Sequence, residues 1–315
     1  MLNVHSTRLF PKNHGADGYK ITGIAAKCDW VVLSDLRPPY THIHKNIPTK
    51  KPKSIFLSLR SQEVALNFFS DEVLPTLQSQ FVLFSGSSDA TLPKQIDSRW
   101  KPLSQKGKTC FQAILNHPHL RHWAMENADE SSHPLISPLP LGLVFTDKPH
   151  IRECIEIPES PKLKDRPLRV LCGHRVRDGL QWDARKTITN TAKQDWSDFT
   201  TILEEDISEP EFLKLIQQHT FVLCAEGGGL DPSPKAWQAL IHGAIPIIRR
   251  TALSEAYERL PVVLVDDWSA RSIQLSQLRA WKAQHIEEYD DPDLREKVLE
   301  KLSVGYWWEQ VMNLR

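Results

Sequence analysis

The sequence has few cysteines, no long apolar run and no excess of charge of either sign. No segment approaches the roughly 20 apolar residues of a membrane-spanning helix, and the first residues lack an apolar run of signal-peptide length. The five cysteines are far apart and form no C-x-x-C pair, which is typical of free thiols in a reducing compartment. We therefore expect a soluble cytoplasmic protein without a membrane span, so that any contact with a membrane is peripheral.

The charge balance argues against a nucleic-acid partner. Lys plus Arg and Asp plus Glu each number 39, whereas nucleic-acid-binding proteins usually carry a basic excess. Hydrophobic residues make up 40% and charged residues 25% of the 315 residues, which are ordinary values for a globular protein and exclude a disordered chain. The P-loop motif, the G-x-G-x-x-G dinucleotide motif and the G-x-S-x-G hydrolase elbow are also absent.

Short apolar runs alternate with helical patterns along the chain, which predicts parallel sheets covered by helices. The predicted strands are 30–33, 54–59, 81–84, 169–172, 220–224, 245–248 and 262–265, and helices are predicted within 63–77 and around 110–128. The charged, proline-rich segment 146–167 is a plausible linker. The pattern predicts an α/β chain with two Rossmann-like domains, 1–150 and 151–315, whose parallel sheets face each other across a cleft. Whether the last helix packs back on the first domain is left open.

A glycine-rich segment joins the predicted strand 220–224 to a predicted helix. Its glycines let a ligand approach the backbone closely, and a helix N-terminus attracts phosphate. Lys235 adds a positive charge in the first helical turn. The candidate donor-binding residues here are Glu226, Gly227, Gly228, Gly229, Asp231, Ser233, Lys235 and Gln238. The alternative is a plain turn in which Asp231 and Ser233 serve as caps.

The same segment carries a resemblance that extends to Trp268. The shared positions are Glu226, Asp231, Lys235, Trp237, Ala239, Leu240, Gly243, Ile245, Pro246, Leu260, Pro261, Val262, Val263, Asp267 and Trp268. In this order they resemble the nucleotide-sugar-binding half of exostosin-like glycosyltransferases, and weaker echoes upstream resemble some bacterial and viral members.

The resemblance implies a GT-B fold and transfer of a sugar from a UDP- or GDP-sugar to a glycan or glycolipid acceptor, with inversion. Two positions depart from the family pattern, which more often has Arg at Lys235 and Glu at Gln238. A Gln offers only one acceptor, so it is a poorer clamp for a ribose diol. The alternative is therefore a catalytically inactive nucleotide- or sugar-binding module of the same fold.

A basic loop follows the predicted strand 169–172. Arg177 and Arg185 are candidate contacts for the donor diphosphate, because arginine forks suit the negative charge of a departing diphosphate. In the family an arginine likewise begins the following helix. The alternative is a solvated basic loop, since exposed arginines are common.

The catalytic base is expected in the first domain. Asp89 follows the predicted strand 81–84 in a loop of small residues, where its carboxylate could take the acceptor proton. Asp35 and His44 are the other candidates. For Asp89 and Asp35 the alternative is a loop aspartate that caps a turn.

Two patterns superficially suggest a metal. His117, His119 and His122 lie close together, but Pro118 disturbs helical spacing and no carboxylate completes the set. Asp291 and Asp293 resemble a D-x-D motif, but they are predicted at the start of a helix and not after a strand. We therefore expect neither an essential metal nor a cofactor.

Overall fold

The computed structural model describes residues 1–10, 18–36, 39–130, 132–144, 154–176, 179–232 and 234–314. The chain divides into two compact units. The N-terminal unit comprises Asn3–Cys154 and Ser303–Arg315, and the C-terminal unit comprises Met1–Leu2 and Ile155–Leu302.

The N-terminal unit contains a six-stranded sheet with helices. Its elements are β1 (Leu2–Asn3, which crosses the boundary of the unit), α1 (Gly23–Lys27), β2 (Trp30–Leu36), β3 (Pro39–Lys45), β4 (Ser54–Ser58), α2 (Gln62–Phe68), β5 (Phe81–Gly86), α3 (Gln105–Leu115), β6 (Leu120–Met125) and β7 (Ile136–Pro138). The strand order is β3-β2-β4-β5-β6-β7, and neighbours are parallel except that β3 is antiparallel to β2.

The apolar runs explain the middle of this sheet. Every residue of β4 and β5 is buried, as expected of parallel strands covered on both faces. The helix predicted within 63–77 is interrupted, because α2 passes at Phe69 into a π-helical turn and then into a 3₁₀ turn over Leu74–Thr76. Pro75 lacks the N–H that would continue a regular helix.

The helix predicted around 110–128 is wrong in its second half. Helix α3 begins earlier, where the Ser104 hydroxyl accepts a hydrogen bond from the Gly107 N–H, and it ends at Leu115. Beyond Pro118 the chain forms β6, which pairs in parallel with β5. The apolar side chains of this segment satisfy both patterns, and pairing with the buried β5 decides in favour of a strand.

The C-terminal unit contains a five-stranded parallel sheet of order β10-β9-β11-β12-β13. The elements from residue 154 onward are β8 (Cys154–Ile155, which crosses the boundary of the unit), β9 (Val170–Cys172), α4 (Leu180–Gln194), β10 (Thr200–Ile202), α5 (Glu209–Gln218), β11 (Phe221–Leu223), α6 (Pro234–Ile241), β12 (Ile245–Arg249), α7 (Ser254–Tyr257), β13 (Val263–Val265), α8 (Leu275–Asp290) and α9 (Pro292–Glu300).

Two helix boundaries agree with the sequence signals. Helix α6 begins at Pro234, and Gly243 follows its end with a φ of +74°, a conformation that favours glycine. The Asp291 carboxylate caps α9 by accepting hydrogen bonds from the N–H groups of Asp293 and Leu294. The D-x-D resemblance is therefore a helix N-terminus, as predicted.

The last helix, α10 (Val304–Met312), belongs to the N-terminal unit. The Trp308 ring stacks on Phe84 of β5 with 5.4 Å between centroids, and Trp307 lies 5.8 Å from the His5 ring. These tryptophans pack inside the unit.

The predicted fold class is confirmed at the level of each unit. The chain is α/β, and each unit has an open, mostly parallel sheet of the Rossmann-like kind. Among the described residues, no helix is both long and apolar enough to cross a membrane.

Candidate functional site

A pocket of about 1120 Å³ opens beyond the carboxyl ends of the strands of the C-terminal unit. Strand β9 has β10 on one side and β11 on the other, so the chain reverses its direction of winding there. Ligands of open α/β sheets bind at such switch points. The lining residues used below are His174, Arg175, Trp182, Arg185, Lys193, Glu204, Glu205, Asp206, Lys235 and Gln238.

Lys235 lines the pocket from the first turn of α6. Its ammonium group has no hydrogen bond or ion pair to any residue that the structure describes. Loss of hydration lowers the pKa of Lys235 to about 8, and the nearby positive charge of Arg185 acts in the same direction. An anion bound here would supply the missing counter-charge and would also meet the N-terminus of α6.

Arg185 is buried beside Lys235 and is fixed by contacts on two sides. Its Nε donates a 3.0 Å hydrogen bond to the carbonyl oxygen of Glu226, and its guanidinium lies 4.8 Å from the centre of the Trp182 ring. A Cβ added at Gly227 would lie 3.2 Å from the Arg185 guanidinium, so the glycine permits this close approach. Arg185 therefore anchors the glycine loop, defined as residues 226–230, and lines the pocket at the same time.

His174 contacts α4, the helix that carries Arg185. Its Nε2 lies 3.1 Å from the Arg185 carbonyl oxygen and 3.0 Å from the Thr189 hydroxyl. Burial lowers the pKa of His174 to about 4, so the imidazole is neutral at physiological pH. His174 was not among the candidates from the sequence, although its place just after a buried strand was a usable signal.

The pocket is also lined by acidic side chains, which were not anticipated. Glu204, Glu205 and Asp206 follow β10, a strand of only three residues that the apolar pattern did not reveal. Glu204 pairs with Lys193 at 2.7 Å, and Asp206 pairs with Arg175 at 3.1 Å. Both pairs are solvent-exposed, so each contributes little stability.

Two predicted donor contacts are engaged inside the protein. The Glu226 carboxylate accepts hydrogen bonds from Arg249 and Trp268, and Asp231 is buried and accepts one from the Tyr257 hydroxyl at 2.9 Å.

The remaining predicted donor contacts fall into two groups, those that the structure describes and those that it does not. Gln238 lines the pocket, and its amide makes no hydrogen bond within the described residues. Gly227 and Gly228 are partly exposed, whereas Gly229 is buried. Arg177 and Ser233 lie outside the residues that the structure describes.

In the N-terminal unit, Asp89 lies beyond the carboxyl end of β5, as predicted. Its Oδ1 lies 2.5 Å from Arg8, whose guanidinium also contacts the wholly buried carboxylate of Glu126 at 2.5 Å. Glu126 Oε2 accepts further hydrogen bonds from the Thr7 hydroxyl and the Ser87 N–H. No pattern in the sequence singled out Glu126. With its side chain 37% exposed, Asp89 is the member of this cluster that a substrate can reach.

The two alternative bases have different surroundings. Asp35 lies on β2, is buried and accepts a 2.6 Å hydrogen bond from the Tyr19 hydroxyl. His44 is exposed on β3, opposite Val31. Because Val31 lies near the start of β2, His44 is at the amino edge of the parallel strands, away from the edge that carries Asp89. We do not retain His44 as a base.

No group of three or more His, Cys, Asp or Glu side chains in the described part of the chain is arranged to hold a metal ion. His122 lies within hydrogen-bonding distance, 2.7 Å, of the Ser137 hydroxyl, and His117 and His119 contact each other through their rings. Metal independence stays a prediction.

Comparisons with known proteins give only distant likenesses. No protein-family model and no curated protein matches the chain. A solved structure of spinosyn rhamnosyltransferase SpnG with spinosyn aglycone has a TM-score of 0.38 and 13% identity over 80% of this chain and 69% of that chain. The complex of that enzyme with thymidine diphosphate has a TM-score of 0.37 and 14% identity over the same shares. Likeness at this level assigns neither a family nor an activity.

Proposed function

We propose that this protein is a glycosyltransferase that binds the nucleoside diphosphate part of a nucleotide-sugar in the pocket of its C-terminal unit. The observation that carries the proposal is the Lys235 ammonium, which lacks a counter-charge among the described residues and lies beside Arg185 and the start of α6. These groups suit a diphosphate, and the pocket has room for the attached nucleoside.

The proposed reaction is inverting transfer to a glycan or glycolipid hydroxyl. The acceptor oxygen bonds to the anomeric carbon while the bond from that carbon to the diphosphate breaks. The electron pair leaves with the diphosphate, and the acceptor proton passes to a base, for which we propose Asp89. Lys235 and Arg185 stabilise the charge on the departing diphosphate.

The finer assignments rest on the sequence resemblance. They are an exostosin-like GT-B enzyme and a UDP- or GDP-sugar as donor. All five cysteines are free, which fits a reducing compartment and the cytoplasmic localisation that we propose.

The second candidate is an inactive nucleotide-binding module of the same fold. Internal engagement of Glu226 and Asp231 favours it, since both carboxylates already accept hydrogen bonds within the protein. A screen of UDP- and GDP-sugars separates the two candidates. Binding by calorimetry together with nucleotide release or sugar transfer supports the enzyme, whereas binding without turnover supports the module.

Activity is expected to survive an excess of EDTA. The basic side chains Arg185 and Lys235 offer the leaving diphosphate the positive charge that a metal supplies in other enzymes. The measurement is the rate of nucleotide release with and without chelator. Complete loss that Mn²⁺ or Mg²⁺ restores would overturn metal independence while leaving the proposed donor site intact.

Binding of a nucleoside diphosphate is expected to weaken by up to about eightfold between pH 7.5 and 9.0. Lys235, with a pKa of about 8, loses its charge over this range, whereas the phosphates are already ionised. The neighbouring Cys172 and His174, with pKa values of about 12 and about 4, lie outside the window. Calorimetry on wild type and Lys235→Met is the measurement. The pH dependence should vanish in the variant, and its persistence there would point to another group.

A further inference from the structure

The carboxylate of Glu226 has both oxygens occupied within the protein. Arg249 Nε donates to Oε1 at 2.5 Å, and the indole N–H of Trp268 donates to Oε2 at 3.2 Å. The Glu226 side chain is only 10% exposed. With a donor on each oxygen and little exposed area, this carboxylate is held by protein partners, and Glu226 does not line the pocket.

The three side chains come from the carboxyl ends of neighbouring strands. Glu226 follows β11, Arg249 ends β12, and Trp268 follows β13. On the other side, Arg185 of α4 holds the main-chain carbonyl of Glu226. Glu226, the first residue of the glycine loop, is thus fixed at its side chain and at its backbone. These contacts restrict the conformation of the loop at this residue.

The ion pair of Glu226 and Arg249 has no net charge. An unpaired carboxylate at Glu226 would stand at the start of the loop that leads to Lys235, and it would repel an approaching diphosphate. Arg249 cancels this charge, so Glu226 does not oppose the positive charges of Arg185 and Lys235.

We propose that Glu226, Arg249 and Trp268 form a charge-neutral brace that fixes the glycine loop, and that Arg249 and Trp268 are positioning residues for nucleotide binding. The inference rests on the proposed function for the identity of the ligand. It replaces the direct donor contact that the sequence suggested for Glu226.

A rescue experiment separates the brace from a direct contact. Arg249→Gln is expected to weaken UDP or GDP binding about tenfold, since it loosens the loop and exposes the carboxylate charge. Glu226→Gln should change affinity less than about threefold, because its amide oxygen still accepts from one of the two donors and the Arg249 charge that it leaves unpaired is positive and does not repel a diphosphate. In the double variant, removal of the carboxylate should restore affinity to within about threefold of wild type. If Glu226 binds the nucleotide directly, Glu226→Gln weakens binding in both backgrounds and the double variant is the weakest, which would overturn the proposal.

Amide hydrogen exchange tests the brace without any ligand. In Arg249→Gln, the amides of residues 226–230 should exchange about tenfold faster than in wild type. Trp268→Phe keeps the ring but loses the N–H, so it should raise exchange in the same segment and serves if Arg249→Gln does not fold. Unchanged exchange in a folded variant would refute the brace. Failure of wild type to bind UDP or GDP would instead refute the proposed function and leave the exchange result to decide the brace.

Discussion

Replacing Lys235 with alanine is expected to weaken the binding of nucleoside diphosphates by about 1–3 kcal/mol, or roughly 5- to 150-fold in Kd. The ammonium faces the pocket and has no counter-charge among the described residues. An anion can therefore bind it without breaking an existing ion pair. The interaction free energy between the ammonium and a bound anion therefore contributes fully to affinity. Calorimetry with UDP and GDP measures the loss.

Lys214→Ala is the matched control for this substitution. Lys214 is an exposed lysine of α5 in the same unit, and it does not line the pocket. Its removal should leave the Kd unchanged. Equal effects of the two substitutions would mean that the anion responds only to the overall charge of the unit, and the assignment of the site to α6 would then be lost.

Asp89→Asn is expected to lower turnover by about 10² to 10⁴ while the affinity for nucleotide stays as in wild type. A general base typically contributes a factor of this size, and an amide cannot accept the acceptor proton. The variant is expected to fold, because Arg8 retains its contact with the buried Glu126. Initial rates of sugar transfer, with calorimetry on the same samples, separate chemistry from donor binding.

Asp71→Asn is the control for loss of a charged aspartate in the same unit. Asp71 forms an exposed ion pair with Lys106 at 2.9 Å and should be dispensable for turnover. Near-normal turnover of Asp89→Asn, combined with an inactive Asp35→Asn, would transfer the role of base to Asp35 beside Tyr19.

The elements of the fold were predictable where the local pattern and the tertiary environment agree. The strands 54–58 and 81–86 are built around apolar runs and are fully buried, and α6 begins at its proline. Prediction failed at 120–125, where one apolar stretch fits a helix or a strand and only pairing with β5 decides. Strand β10 was missed because three residues are too few to show a period.

The candidate site was likewise predictable only in part. The strand, glycine loop and helix order predicted where Lys235 and Gln238 would lie, and both line the pocket. This order of elements could not predict that Glu226 is paired to Arg249, because adjacent strands, and not sequence spacing, bring the two residues together. The contact of Arg8 with Glu126 joins residues that are far apart in the chain, and no local pattern indicates it.

The position of α10 has a consequence for how this protein acquires its structure during synthesis. Domains near the N-terminus of a chain generally fold first as they leave the ribosome. Here the N-terminal unit needs Trp308 against Phe84, and Arg121 donates hydrogen bonds to the carbonyls of Met312 and Leu314. The segment 155–302 is therefore complete in sequence before the unit that precedes it. The nascent chain must keep the apolar face of β5 covered by other means until α10 emerges.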